Sequence, residues 1–331
     1  MSKFFYKAFF ICGIFLFYQC GEATEEASNS DIPETSVDEE VDVEGVKLVV
    51  LGTVQDAGSP QIGCQKKCCA HLFEQPDLNR MVVSLGVIDE NSKETYLFDA
   101  TPDMPAQMEL LNRKSGLDLS KTPDAIFLTH AHIGHYTGLM YLGKEAMNAD
   151  KVPVYAMPKM TSFLESNGPW SQLVQSENIV LKELRASDSF GFGQDISVTP
   201  ILVPHRDEFS ETVGFVISGP SKTALFIPDI DKWDKWNQDI VGWVKRVDYA
   251  FLDATFYDAE EINNRDISEI PHPFVVESME TFKELNLQER NKIHLIHFNH
   301  TNPLLGGSNV QVEKVLDYGF KIAETGMVIS L

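Results

Sequence analysis

Positive charge is scarce in this 331-residue chain: 27 Lys and Arg stand against 49 Asp and Glu, a formal net charge of −22. So acidic a body repels phosphate backbones, which argues against nucleic-acid binding; a small anionic substrate stays possible where a metal supplies local positive charge. Cysteine is sparse as well. Of five, only Cys64, Cys68 and Cys69 follow residue 20, so any disulfide among them leaves one thiol unpaired. Compositional bias is missing: 43% apolar, 10% aromatic and 23% charged residues exclude a collagen-like, low-complexity or wholly disordered chain, and the length allows a sizeable core. The uninterrupted apolar run 8–18 has eleven residues, too few to cross a bilayer as a helix.

That run is preceded by Lys3 and Lys7 and followed by Cys20 and Gly21, so residues 1–20 read as a secretory signal outside the fold. The arrangement resembles a bacterial lipoprotein signal, which implies a lipid on Cys20, attachment to a membrane and a place in the cell envelope. Gln19 departs from the small residue usual at that position, and an uncleaved N-terminal anchor is the alternative. Residues 21–45 hold ten acids, no base and no aromatic, too little apolar surface for order. They read as a disordered acidic tether, with an acidic docking tail as the rival. The +2 of the signal and the −10 of the tether leave −14 on the remainder.

From residue 46 the pattern changes. Short apolar runs bounded by turn residues (VKLVVLGT, MVVSLGVI, TYLFDA, DAIFLTH, VPVYAM, ISVTPILVP, TVGFVIS, TALFIPD, DYAFLD, KIHLIHF, GMVISL) predict strands, and amphipathic stretches at 105–114, 135–142, 159–165 and 274–287 predict helices. Continuous and alternating runs both occur, which suits an α/β architecture of two mixed sheets with helices on their outer faces. Neither a linker-like shift nor an internal repeat follows residue 45, so 46–331 is expected to form one domain.

Nine histidines are distributed unevenly. The strand predicted at 124–129 runs into His130-Ala-His132-Ile-Gly-His135. Alternation along an extended segment puts His130 and His132 on one side, and His135 opens the next helix pointing back to the same place. Three converging imidazoles suit a divalent metal; loop histidines without a ligand are the bland reading.

This segment resembles the H-x-H-x-D-H signature of the metallo-β-lactamase superfamily, and the likeness extends along nearly all of 46–331. It implies a four-layer αββα sandwich. It also implies that Asp99 in TYLFDAT orients a ligand, and that His205 in VPHRDE, Asp229 in ALFIPD and His297 in LIHFNH join His130, His132 and His135 as metal ligands, with Asp229 bridging two ions. Gly134 breaks the pattern, because it stands where the superfamily carries an aspartate. The first position (His130, His132, His205, Asp229) stays complete. The second keeps His135, His297 and the shared Asp229, with water expected to complete it. Two metals with one weakly held, a single metal, or an inactive descendant remain open.

Asp253 in FLDATF resembles the E-A-T-F segment of the ribonuclease Z branch, and His272 in PHPFVVESMETF falls where that branch has a histidine at a helix start. The pair implies proton transfer beside the metal, with the imidazolium protonating a leaving oxygen. A surface loop histidine between two prolines is the alternative for His272. Cys64, Cys68 and Cys69 with one imidazole would make a tetrahedral Cys₃His zinc site, with His300 expected as the fourth ligand and His71 as the local alternative. A cyclic phosphodiesterase of phosphonate metabolism is built on such a set, at a tighter cysteine spacing. A disulfide plus a free thiol is the competing reading.

LGTVQDAGSPQIGC, FDATPDMPAQ, VPHRDEFSETVGF and HFNHTNPLL together resemble the family named after the pyrroloquinoline-quinone biosynthesis B protein. Retention of nearly all metal ligands, together with the signal, points to an exported hydrolase of a small-molecule substrate. A metal-activated hydroxide would attack a phosphodiester or cyclic phosphate first, a lactone or β-lactam next. The expected cofactors are one or two catalytic zinc ions, with manganese or iron as alternatives, and a structural zinc. The rivals are an iron-dependent oxygenase of quinone biosynthesis and a non-catalytic, zinc-containing binding protein of the envelope. Trp233, Trp236 and Trp243 are read as helix packing ahead of a substrate rim.

Overall fold

The computed structural model describes residues 45–263 and 265–331; the expected signal at 1–20 and the tether up to residue 44 lie outside the described residues. Among the described residues, fourteen strands form two seven-stranded sheets. The first contains β1 (Val46–Gly52), β2 (Ser84–Asp89), β3 (Glu94–Phe98), β4 (Ala125–Phe127), β5 (Val152–Ala156), β6 (Ile179–Glu183) and β14 (Val328–Ser330), in the order β14-β1-β2-β3-β4-β5-β6. The second contains β7 (Phe190–Phe192), β8 (Ile196–Leu202), β9 (Val213–Ser218), β10 (Thr223–Ile227), β11 (Tyr249–Asp253), β12 (Ile293–Ile296) and β13 (Lys321–Ile322), in the order β13-β12-β11-β10-β9-β8-β7. Both sheets are mixed, with β3 to β6 running parallel in one and β10 to β13 in the other.

Alternation along the strands builds three apolar layers. Leu48 and Val50 of β1 face the space between the sheets, whereas Val49 and Leu51 face outward. In β10, Ala224 and Phe226 face inward, and Leu225 and Ile227 outward. Phe98 and Phe127 stack at 4.8 Å and meet Phe215 of the opposite sheet edge-on at 5.4 and 5.9 Å. Burying each such ring contributes about 2–3 kcal/mol relative to exposure. The outer layers are closed by helices: α2 (Met104–Ser115), α4 (Pro158–Ser166) and α5 (Trp170–Gln175) on the first sheet, and α6 (Ile240–Arg246), α7 (Val275–Thr281) and α9 (Val310–Tyr318) on the second. The architecture is therefore the expected four-layer α/β sandwich. Short helices α1 (Lys67–Ala70), α3 (Ile133–Tyr136) and α8 (Leu287–Arg290) sit in connections. Among the described residues no helix is long and apolar enough to cross a membrane.

Several elements differ from expectation. The stretch 274–287 splits into α7 and α8, because the Asn286 side chain accepts a hydrogen bond from the Glu289 amide at 2.9 Å and starts a new helix. Strands β6, β7 and β13 and helices α5, α6 and α9 escaped the periodicity reading; most are short, and two or three residues of strand leave no pattern to count. Trp233 and Trp236 are core residues of the outer layer on the second sheet, donating to Ser278 Oγ at 3.0 Å and to the Leu202 carbonyl at 2.8 Å. Trp243 packs beside them under the Arg246 guanidinium, so the tryptophans are helix packing.

Candidate metal centre

Parallel strands deliver their C-terminal ends to one edge of the sandwich, and the chemistry gathers there. Asp99 follows β3, Thr129 to His135 follow β4, Asp229 follows β10, Asp253 ends β11 and His297 follows β12. His130, His132, His205 and Asp229 converge as one donor set. His130 Nε2 lies 3.3 Å and His205 Nε2 3.1 Å from Asp229 oxygens, and His205 Nε2 is 3.3 Å from His132 Nδ1. Donors at zinc bond lengths in a tetrahedron are about 3.4 Å apart. The spacing therefore fits one divalent ion.

A second set abuts the first through Asp229: His135, His297 and Asp56. His297 Nε2 lies 3.5 Å and His135 Nε2 3.9 Å from Asp56 Oδ1, and both lie within 3.9 Å of Asp229 Oδ2. Asp56 adds a carboxylate to this set, where the sequence reading expected only water. Sequence reading missed it because its partners come from other strands; the one local signal is a carboxylate shortly past a strand end, in TVQDAG. The Nε2 atoms of His130, His135 and His297 are buried and make no hydrogen bond among the described residues. Buried polar atoms are normally satisfied, and three orphans aimed at shared carboxylates are the mark of a cation site.

Each sheet supplies the same supporting arrangement. On the first, the Thr129 hydroxyl donates to Asp99 at 2.9 Å and accepts from His130 Nδ1–H at 2.9 Å, while His135 Nδ1–H donates to Asp99 at 2.7 Å. On the second, the Thr255 hydroxyl donates to Asp253 at 2.7 Å and accepts from His297 Nδ1–H at 2.7 Å, while His272 Nδ1–H donates to Asp253 at 2.8 Å. With Nδ1–H engaged, the Nε2 lone pairs of His130, His135 and His297 turn to the cavity. Asp99, His297 and His272 all have positive φ (66°, 67° and 123°), a backbone cost of about 1–3 kcal/mol each at non-glycine residues that clusters at functional sites.

Burial and charge pull these groups apart. Burial pushes His130 well below the usual imidazole range. Burial also acts to lower His135, His272 and His297, but the carboxylates beside them win: Asp99 for His135, Asp253 and Asp229 for His272, and Asp229 and Asp253 for His297, so all three rise. Asp56 and Asp229 resist the upward pull of burial and fall well below the carboxylate range, held by His297 and His135 and by His205 and His272 respectively. Asp253 falls to about 2 for the same reason, with His272 as its main partner.

A family model described as "Beta-lactamase superfamily domain" matches residues 94–298, and every residue of the two sets except Asp56 lies within it. The chain belongs to that superfamily. It is 23% identical over 310 residues to "Coenzyme PQQ synthesis protein B" of Acinetobacter baumannii (strain SDF), covering 86% of this chain and 99% of that one. Among solved structures, Zn(2+)-bound PqqB from Methylobacterium extorquens shares the fold at a TM-score of 0.69 and 19% identity, over 86% of this chain and all of that one. A diphosphatase from the PhnP family shares it at 0.62 and 21%, over 86% and 96%.

Away from the histidine centre, Cys64, Cys68, Cys69 and His300 come together as a further donor set. His300 Nδ1–H donates to Asn299 Oδ1 at 3.1 Å, which leaves Nε2 for the thiols; His71, whose Nδ1–H donates to the Lys67 carbonyl at 3.2 Å, lies outside the set. All three thiols are free, and Cys68 and Cys69 Sγ lie 3.8 Å apart. The Cys69 hydrogen bond lowers Cys64, while burial raises Cys68 and pushes Cys69 up to about 12. Without a cation, the cluster therefore holds its thiols unevenly.

Proposed function

We propose that this chain is a metal-dependent hydrolase of a phosphodiester or cyclic phosphate, with a lactone-type ester as the next substrate class. Zinc is the proposed ion at the histidine centre, replaceable by manganese or iron, with a structural zinc on Cys64, Cys68, Cys69 and His300. When bound, a metal here lowers the pKa of a coordinated water and polarises the electrophile. The observation that carries the reading is the placement of His272 against Asp253 and Asp229, beside the shared carboxylate of both donor sets. Asp253 engages Nδ1, so Nε2 is the nitrogen able to hand a proton to a leaving oxygen. The raised affinity of that ring for its proton suits a general acid.

A cavity of about 370 Å³ is lined among others by Phe256, Pro271 and His300, with Lys66, Arg265, Glu261 and Glu269 as its charged groups. The fold shared with a diphosphatase is consistent with cleavage at phosphorus. His130→Ala should abolish turnover of aryl phosphodiesters while the far-UV spectrum and thermal transition stay cooperative; turnover that survives in the folded variant contradicts the reading.

The similarity to coenzyme PQQ synthesis protein B over 86% of the chain favours one second reading, an iron-dependent oxygenase step in quinone cofactor synthesis. Oxygen uptake by the iron-loaded protein, without diester hydrolysis, would establish it. We further propose a lipid anchor on Cys20 that holds the enzyme at the cell envelope, on the basic start, apolar run and Cys-Gly of residues 1–21. Cys20→Ser should release the protein from the membrane fraction, and a variant that stays membrane-bound contradicts the anchor.

A further inference from the structure

The residue that breaks the histidine signature and the residue that completes the second donor set occupy the same space. A Cβ placed on Gly134 would fall 2.1 Å from Asp56 Cβ, 2.6 Å from its Cα and 3.0 Å from its Cγ. Real Cβ atoms do not approach so closely, and the obstacle includes backbone, so no side-chain rotation relieves it. Gly134 lies inside α3 and is not among the positive-φ glycines, so what the position requires is room. A carboxylate hung from position 134 and one hung from position 56 would thus reach the same cavity, and only one of the two residues can carry a side chain.

Asp56 is fixed in that space by backbone. The Gln55 amide donates to the Phe298 carbonyl at 2.9 Å, and the Phe298 amide donates to the Thr53 carbonyl at 2.8 Å. Val54 bridges both Val82 and Phe298, so the segment carrying Asp56 is joined to the one carrying His297. Gln55 Nε2 donates to Asp56 Oδ1 at 2.7 Å and orients the carboxylate.

We propose that Asp56 is the carboxylate ligand of the second metal, moved from α3 to the segment after β1, and that Gly134 is its obligate steric counterpart. The histidine centre then keeps two carboxylates, Asp56 and Asp229, and two complete positions. This inference rests on the reading of the histidine cluster as a metal centre.

The test is zinc stoichiometry and affinity on the full chain, measured for wild type, Asp56→Asn, Gly134→Asp and the double swap Asp56→Gly/Gly134→Asp. Asp56→Asn keeps the shape and removes the charge, so it should fold. Loss of supporting groups around a metal costs 10–100-fold in affinity, and loss of a ligand itself should weaken the second zinc by at least about 100-fold. Gly134→Asp alone forces Asp56 aside and should lose the second zinc or the fold. The double swap should recover the second zinc. An Asp56→Asn protein that binds both zinc ions of the centre as tightly as wild type overturns the inference and leaves the metal centre standing. A wild type that binds no zinc at the histidines overturns both. Should the swap fail to fold, Asp56→Asn alone decides.

Discussion

If His272 protonates a leaving oxygen, its value depends on what leaves. The informative perturbation is His272→Ala, read on two phosphodiesters that differ only in the departing alcohol. An aryl ester releases a phenolate that is stable without a proton, whereas an alkyl ester releases an alkoxide that is not. General acid catalysis contributes about 10²–10⁴-fold. The alkyl ester should lose activity in that range, about 3–5 kcal/mol of barrier, while the aryl ester loses only a few-fold. The fold should tolerate the change. Asp253 keeps three donors without His272: the Ile230 amide at 3.1 Å, the Thr255 amide at 3.0 Å and the Thr255 hydroxyl at 2.7 Å. The lost hydrogen bond to a charged group costs about 1.5–3 kcal/mol. His272→Gly should be at least as inactive but more stable than His272→Ala, because the φ of 123° burdens alanine and not glycine. The assay is kcat/KM for both esters, with urea unfolding of both variants. Equal losses on the two esters would refute the acid role and leave His272 a binding or positioning group.

Two further expectations concern protons. Asp253 sits near 2 in the fold against an ordinary 3.8, so it contributes stability that is present above about pH 4 and lost as pH falls through 2. The metal-free wild type should therefore exceed Asp253→Asn in unfolding free energy at pH 5 by about 2 kcal/mol more than at pH 2; a difference independent of pH contradicts the pairing. Zinc binds neutral imidazoles. His130 is already neutral at physiological pH, whereas His135 and His297 retain protons above the usual range, so zinc must displace protons at the second set. Lowering the pH from 8 to 6 should strip the second zinc first, by at most about tenfold per displaced proton per pH unit, and simultaneous loss of both ions with equal slopes contradicts this.

Much of the centre was legible because its residues lie at strand ends, where a run of Val, Ile, Leu or Phe stops at an aspartate or histidine. His130, His132, Asp229 and His297 all announce themselves this way. The choice of His300 over His71 was open in one dimension, since spacing alone allows both, and is decided by the approach of the segment after β12 to the thiols. Asp56 was invisible for the opposite reason. Nothing in TVQDAG marks it until β1 and β12 are joined through Val54 and Phe298, and its exclusion of a side chain at Gly134 is a fact of packing. On the reading proposed above, Asp56 takes in space the place of the aspartate absent from the histidine signature. Two of the helices that escaped notice, α5 and α6 with its IVGWVKR sequence, are short of two full turns and hold too few residues to reveal a face.

The central claim is that this chain carries an occupied histidine centre and a separate cysteine-held zinc. The most direct measurement is metal identity and stoichiometry by elemental analysis, on wild type and on the Cys64→Ser/Cys68→Ser/Cys69→Ser variant. The account predicts three divalent ions per chain in wild type and two in the variant. One ion per chain that vanishes with the cysteines would mean an empty histidine centre, and would contradict the hydrolase.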